Sequence, residues 1–211
     1  MFTSREDAGR RLGEHLRTEG VHADVVLGLP RGGVIVAAEV AHVLEVPLDV
    51  LIVRKIGHPL YREFAVGALA ENDVVVFDPS AQRPDANIRA ALNYVVEEEK
   101  ERMHTYAAKF HPDGTHSLDG KTVLLVDDGL ATGATMEAAV ISARKANARS
   151  AIVAVPVASS SAVQRLSQIA EDVRALWVDP EFDAVGRYYK TFSQTTDEEV
   201  MDLLHAEAKR H

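Results

Sequence analysis

The chain has 211 residues, no cysteine and a formal net charge of −9 at pH 7, and is 46% hydrophobic and 26% charged. That length suits one domain whose core needs no staples, and the missing cysteines exclude disulfides and thiolate metal sites and fit a reducing compartment. An acidic chain makes a poor general nucleic-acid binder, since such proteins offer phosphates a basic face; no nucleic-acid partner is expected, and any phosphate must be met by a local site. No apolar run reaches the roughly 18 residues of a membrane span, and the first sixteen residues lack the apolar centre of a signal peptide. A cytoplasmic location without a membrane partner is the expectation.

Residues 4–19 predict an amphipathic helix, with Leu12 and Leu16 one turn apart and Ser4 as its cap. Residues 23–29 form an apolar strand, 32–45 a helix and 48–55 a second buried strand, which together make one βαβ unit. Glycine, proline and mixed charge over 56–72 predict a long loop or hairpin, followed by a strand at 73–78. The longest helical pattern, 83–110, is entered through Asp85 and ends where His111 meets Pro112, with a polar turn running to 120. Strands at 121–126, 150–157 and 173–178 alternate with helices near 133–147 and 159–171. Thr196 or Asp197 leads a last helix with acids in its first turn. The alternation predicts a single α/β domain, a parallel-core sheet with helices on both faces. In such sheets ligands sit beyond the carboxyl ends of the strands.

Three loops at such ends carry unusual chemistry: GLPRGG (28–33), RKIGHP (54–59) and DDGLATGAT (127–135). After Asp127 and Asp128, the residues Gly129, Thr132 and Gly133 leave little side chain between a ligand and successive N–H groups, and a helix N-terminus follows. That is an anion nest, to which Thr132 and Thr135 add hydroxyls. No glycine-lysine pair is present, so the loop is not a Walker loop, and a mononucleotide-sized phosphate fits better. Carboxylates repel phosphate, so Asp127 and Asp128 need donors such as ribose hydroxyls or metal-bound water. The plainer alternative is a capped helix after a buried strand, with Asp128 or Thr132 satisfying N–H groups. Arg31 is a second phosphate candidate, set against the ordinary reading of an exposed arginine in a strand-to-helix turn. Arg54 and Lys55 add two cations that solvent could equally hold.

The run VLLVDDGLATGAT (123–135) resembles the signature of the type I phosphoribosyltransferases, and the order of the other loops agrees with it. The resemblance extends over about residues 20–195. It implies transfer of the phosphoribosyl group of phosphoribosyl pyrophosphate (PRPP) to a nitrogenous small-molecule acceptor, expected to be a heterocyclic base, with release of pyrophosphate. Magnesium would be held mainly by the substrate and water. By the same resemblance Asp127 and Asp128 contact the ribose hydroxyls, and Gly129, Leu130, Ala131, Thr132, Gly133, Ala134 and Thr135 hold the 5′-phosphate. Pro30, Arg31 and Gly32 bind pyrophosphate, with a cis peptide entering Arg31. Arg54 and Lys55 precede a flexible lid at 56–72. Asp127, Asp128, Arg31 and Lys55 are the catalytic candidates: the cations stabilise departing pyrophosphate, and the acids orient the ribose beside a developing oxocarbenium ion.

A small hood, built from the N-terminal helix and residues 177–195 outside a core of about 20–178, would hold the acceptor. Trp177, Phe182, Val185 and Tyr188 are its candidates, with ordinary core packing as the competing reading of the aromatic residues. His58 and Tyr61 read as solvated loop side chains. Relatives suggest a homodimer. A non-catalytic PRPP or nucleotide binder on the same fold is the alternative, and a metal-dependent phosphohydrolase is a third possibility that lacks further ligands.

Overall fold

Chain order in the computed structural model, which describes residues 1–78, 86–111 and 117–208, follows the predicted alternation. The elements are α1 (Arg5–Thr18), β1 (Val25–Gly28), α2 (Gly32–Leu44), β2 (Leu48–Val50), β3 (Val53–Gly57), β4 (Ala65–Ala70), β5 (Val74–Phe77), α3 (Ala86–Phe110), β6 (Thr122–Val126), α4 (Ala134–Lys145), β7 (Ser150–Ser159), α5 (Ser160–Leu166), β8 (Asp172–Asp179) and α6 (Asp197–Ala208). Asp85 and most of the polar turn after His111 lie outside the described residues. Two local signals hold closely. The Ser4 hydroxyl accepts from the Asp7 N–H to open α1. At α6, Thr196 and Glu199 exchange side-chain and backbone hydrogen bonds in a reciprocal capping box.

Five strands form a parallel sheet ordered β2-β1-β6-β7-β8. Strand side chains alternate between its faces. Val26, Leu124 and Val126 pack with Leu12 and Leu16 of α1 and Val36 and Val40 of α2. Their neighbours Val25, Leu27, Val123 and Leu125 pack with Met136 and Val140 of α4 and Leu166 of α5. Each such buried aliphatic side chain contributes about 1.5–3 kcal/mol. Covering both faces explains why the strands read as continuous apolar runs. Pro156 sits within β7, past the point where β6 stops pairing at Val126 opposite Ala154, so its missing N–H leaves that neighbour no gap.

The run 48–55 is not one strand. β2 pairs with β1 in the parallel sheet, whereas β3 joins an antiparallel sheet ordered β3-β4-β5. Leu51 and Ile52 carry the chain between the sheets and are as buried as the strands on either side, so hydropathy gives no sign of the break. Residues 56–72 form a hairpin, one of the two forms predicted. The stretch outside strands is shorter than the anticipated lid: Val66–Ala70 are buried in the middle strand, and only 58–64 make the tip. One face of this sheet packs on α3 and α6, and Ala138 of α4 meets the other. α5 also ends early, at Leu166, where the N–H groups of Ile169 and Ala170 turn back onto the Leu166 carbonyl. Among the described residues no helix is long and apolar enough to cross a membrane.

The end of α3 is fastened electrostatically. The His111 side chain, 4% exposed, lies 3.1 Å from Glu71 and 3.5 Å from Asp49. Burial opposes its charged form, but the hydrogen bond to Glu71 and the charges of Glu71 and Asp49 outweigh it and hold the imidazole above its ordinary value. A histidine raised in the fold contributes stability that is full below its unfolded value, about 6.5, and is lost as pH rises through the folded one. His111→Gln should therefore lower the melting temperature most near pH 5.5 and least above about pH 8. Thermal melts at both values check this; an equal loss at the two would contradict it.

Candidate functional site

The three loops converge where the sheet topology places ligand sites. Pro30, Arg31 and Gly32 follow β1, Arg54 and Lys55 lie on β3, and Asp127 to Thr135 follow β6; all line one cavity of about 610 Å³. The loop after β6 is pinned at its centre. Leu130 donates to the Val157 carbonyl at 2.9 Å and accepts from the Ser159 N–H at 2.9 Å, so the loop is held to β7 by two backbone bonds. Gly133 has φ +77° and opens α4 with no side-chain cap, a conformation glycine takes at little cost. The Thr132 hydroxyl reaches the Ala134 N–H at 3.4 Å. Among the described residues none supplies an acceptor to the N–H groups of Ala131, Thr132, Gly133 or Thr135. Such a cluster of donors at a helix start is suited to an anion. Capping by Asp128 is not what forms, because its carboxylate is turned elsewhere.

Asp128 Oδ2 accepts from Arg5 Nε at 2.8 Å, the two side chains being 15% and 10% exposed. Asp127 Oδ1 accepts from the Asp128 N–H at 2.8 Å, and the Tyr189 hydroxyl donates to the Asp128 carbonyl at 2.6 Å. Burial, then the adjacent Asp128 charge, pushes Asp127 well above the usual carboxylate range. Burial also raises Asp128, but Arg5 and Lys55 pull it back. The two acids titrate as a pair, and the direct bond from Arg5 favours the charged form of Asp128. Burial and the Asp128 charge push the Tyr189 phenol far up, which keeps it a neutral donor. The pair leans over the start of α2, where a Cβ on Gly32 would collide with the Asp128 carboxylate and come within 2.7 Å of Arg5 Nε.

Arg5 was not among the sequence candidates. Its one signal was position: a cation in the first turn of a helix opposes the macrodipole, which points to a partner outside the helix. Ser193, whose carbonyl accepts from Arg5 Nη1 at 2.7 Å, was equally unmarked.

The expected cations are in different states. The peptide between Pro30 and Arg31 is cis, and the Arg31 side chain, 37% exposed, lies 3.8 Å from Asp197 of α6. Arg54 is not solvated: it donates to Glu99 at 2.5 Å, and its guanidinium lies 5.1 Å from the centre of the Tyr106 ring. Lys55 is exposed, and no carboxylate among the described residues pairs with it. Glu99 and Asp78 line the cavity too. Arg165 holds Asp78 at 3.0 Å and also binds Glu137, which braces the start of α4.

Of the hood candidates, only Val185 lines the cavity, packed so closely that a Cβ on Gly129 would lie 2.8 Å from it. Trp177, Phe182 and Tyr188 are not among the residues that line it. They pack on one another, Phe182 stacked on Tyr188 at 5.3 Å and Trp177 edge-on at 5.4 Å. The Tyr188 hydroxyl is spent on Asp179 at 2.6 Å, which raises it to about 12. Tyr188 is buried in this cluster, whereas Trp177 stays 46% exposed at its edge. His58 stacks with Tyr61 in the hairpin tip, 5.7 Å between centres.

Residues 3–179 match the family described as phosphoribosyl transferase domain. The chain belongs to that family, as the 123–135 run suggested. It is 41% identical over 205 residues to two Mycobacterium tuberculosis proteins, each called "Putative phosphoribosyl transferase"; the match covers 97% of this chain and 46% of theirs, so the chain spans about half the length of the curated relatives it matches. It is similar to the crystal structure of TT1426 from Thermus thermophilus, with 44% identity, a TM-score of 0.78 and coverage of 98% of this chain and 99% of that one. The AQ2163 protein of Aquifex aeolicus shares the fold at 14% identity, with a TM-score of 0.52 and coverage of 97% and 88%.

Proposed function

We propose that the protein binds PRPP in this cavity and transfers its phosphoribosyl group to a nitrogenous small-molecule acceptor, releasing pyrophosphate. The observation that carries the reading is the joining of an anion nest to an acid pair in one cavity: donors at Ala131 to Thr135 suit a 5′-phosphate, and the carboxylates beside them suit sugar hydroxyls. Arg31 and Lys55 line the same cavity and suit a diphosphate.

As the sugar–oxygen bond breaks, negative charge gathers on the leaving diphosphate and positive charge on the ribose ring. Lys55 and Arg31 stabilise the first, and the acid pair lies next to the second. Asp128, its orientation set before the ligand arrives, holds the sugar so that the anomeric carbon faces the acceptor. Magnesium would neutralise part of the diphosphate charge when bound to it. Among the described residues no group of three or more histidine, aspartate or glutamate side chains is placed to hold a metal ion, and this donor set fits a cation carried by the substrate rather than caged by protein. The pairing of Arg54 with Glu99 favours a second reading, a PRPP or nucleotide binder without turnover, because it withdraws one cation from the leaving group.

Calorimetric titration with PRPP, with and without magnesium, tests the site; a screen of bases for pyrophosphate release then separates the two readings. Saturable, magnesium-dependent binding supports both, release supports the transferase, and no binding removes both. Arg31→Ala should weaken PRPP binding by about tenfold or more, the size of a lost hydrogen bond to a charged group, while changing the affinity for a nucleoside 5′-monophosphate little. Equal losses would count against the placement of Arg31 at the diphosphate.

A further inference from the structure

We propose that Arg5 is a positioning residue for Asp128: it fixes the orientation of that acid for the sugar and ties it to the segment 192–195. The proposal rests on the donor-site reading above.

A guanidinium is costly to bury unless it is paired and hydrogen-bonded, and Arg5 is 8% exposed. Three separate contacts compensate. Nε donates to Asp128 Oδ2 at 2.8 Å, Nη1 donates to the Ser193 carbonyl at 2.7 Å, and the guanidinium carbon lies 3.9 Å from the centre of the Phe192 ring. Two hydrogen bonds in different directions and a ring over one face leave the planar group no freedom to rotate. Asp128 is then held at both ends, its carboxylate by Arg5 and its carbonyl by Tyr189. Arg5 is bonded to Oδ2, which leaves Oδ1 as the oxygen to offer a ligand. Gly32 closes the remaining side, since any larger residue would displace the ion pair.

The charged or titratable groups that act on Asp128 are Arg5 from α1, Lys55 from β3, the adjacent Asp127 and the Tyr189 phenol. Of these, Arg5 makes the direct bond to the carboxylate. Lysine at the same place would keep the charge but lose the fork that reaches Asp128 and Ser193 together.

Two ligand-free measurements and one titration test this. In carbon-13 NMR, the Asp128 carboxyl midpoint should shift upward in Arg5→Gln and return part of the way in Arg5→Lys. In the unmutated chain the Arg5 Nε–H should resist solvent exchange, and that protection should vanish in Asp128→Ala, which removes the acceptor, but persist in Asp127→Asn. This second readout decides the matter even if Arg5→Gln fails to fold. PRPP affinity should fall about tenfold in Arg5→Gln, with Arg5→Lys between it and the unmutated chain. A lower melting temperature with an unmoved midpoint and unchanged affinity would make Arg5 merely structural and overturn the proposal, as would an unprotected Nε–H. Should the unmutated chain not bind PRPP, the donor-site reading fails, while the ligand-free measurements still decide whether Arg5 orients Asp128.

Discussion

Asp127→Asn combined with Asp128→Asn should weaken PRPP binding by about a hundredfold or more without unfolding the protein. In the proposed site each acid would accept from a sugar hydroxyl, and a hydrogen bond to a charged group is worth about 1.5–3 kcal/mol. Both carboxyls are raised above their ordinary values by burial, and an acid whose folded pKa exceeds its unfolded one costs stability once pH climbs past the unfolded value. Asp127→Asn alone should therefore raise the melting temperature at pH 7, with the gain fading toward about pH 3, below the unfolded value of about 3.9, where both forms are mostly protonated. In the double variant the lost Arg5 bond offsets part of that gain. Calorimetry and thermal melts at the two pH values check both halves. Full affinity retained in a folded double variant would remove the sugar-binding role of the acids.

Gly32→Ala is the second change from which a large effect is expected. The added methyl would collide with the Asp128 carboxylate and lie 2.7 Å from Arg5 Nε. Neither group is the loose end of a solvated side chain: Arg5 is bound to Ser193 and under Phe192, and Asp128 is bound to Arg5. The ion pair must open or α2 must shift, and either moves the acid from the place a sugar needs. PRPP affinity should drop by at least about tenfold, the scale of losing one charge-assisted bond, together with the melting temperature. Gly20→Ala serves as a control, since nothing lies within 4 Å of a Cβ there; its strained φ of +68° should lower stability while leaving affinity intact. Equal affinities in the unmutated chain and Gly32→Ala would show that close packing at α2 is not required for binding.

Features encoded locally were legible in the sequence. Ser4 and Thr196 announced their helices because a cap is a contact over three residues, and the loop 127–135 announced its cluster of open N–H donors because glycine spacing and hydroxyls lie in one run. Features that depend on distant partners were not. Nothing near Glu99 in sequence marks it as the partner of Arg54, 45 residues away, and nothing near Arg5 marks Asp128, 123 residues away. The aromatic cluster shows how ring composition leaves the partner open. Trp177, Phe182 and Tyr188 have the composition of a base-stacking wall, but ring chemistry is the same whether a ring meets a ligand or another ring, and here the rings meet one another. The break at Leu51 and Ile52 was hidden for a similar reason, since burial in either sheet demands the same apolar residues.

That break divides the cavity's charge between two bodies. Asp127 and Asp128 stand on the five-stranded sheet, while Arg54 and Lys55 stand on the three-stranded one. The link through Leu51 and Ile52 is buried and fastened, Leu51 donating to the Gly28 carbonyl and Ile52 accepting from the Glu71 N–H, so it acts as a strut that sets the gap between the acids and Lys55. A molecule with a sugar at one end and a polyanion at the other would span that gap and join the two sheets as a cross-brace, whereas a sugar phosphate without the second anion would load only one of them.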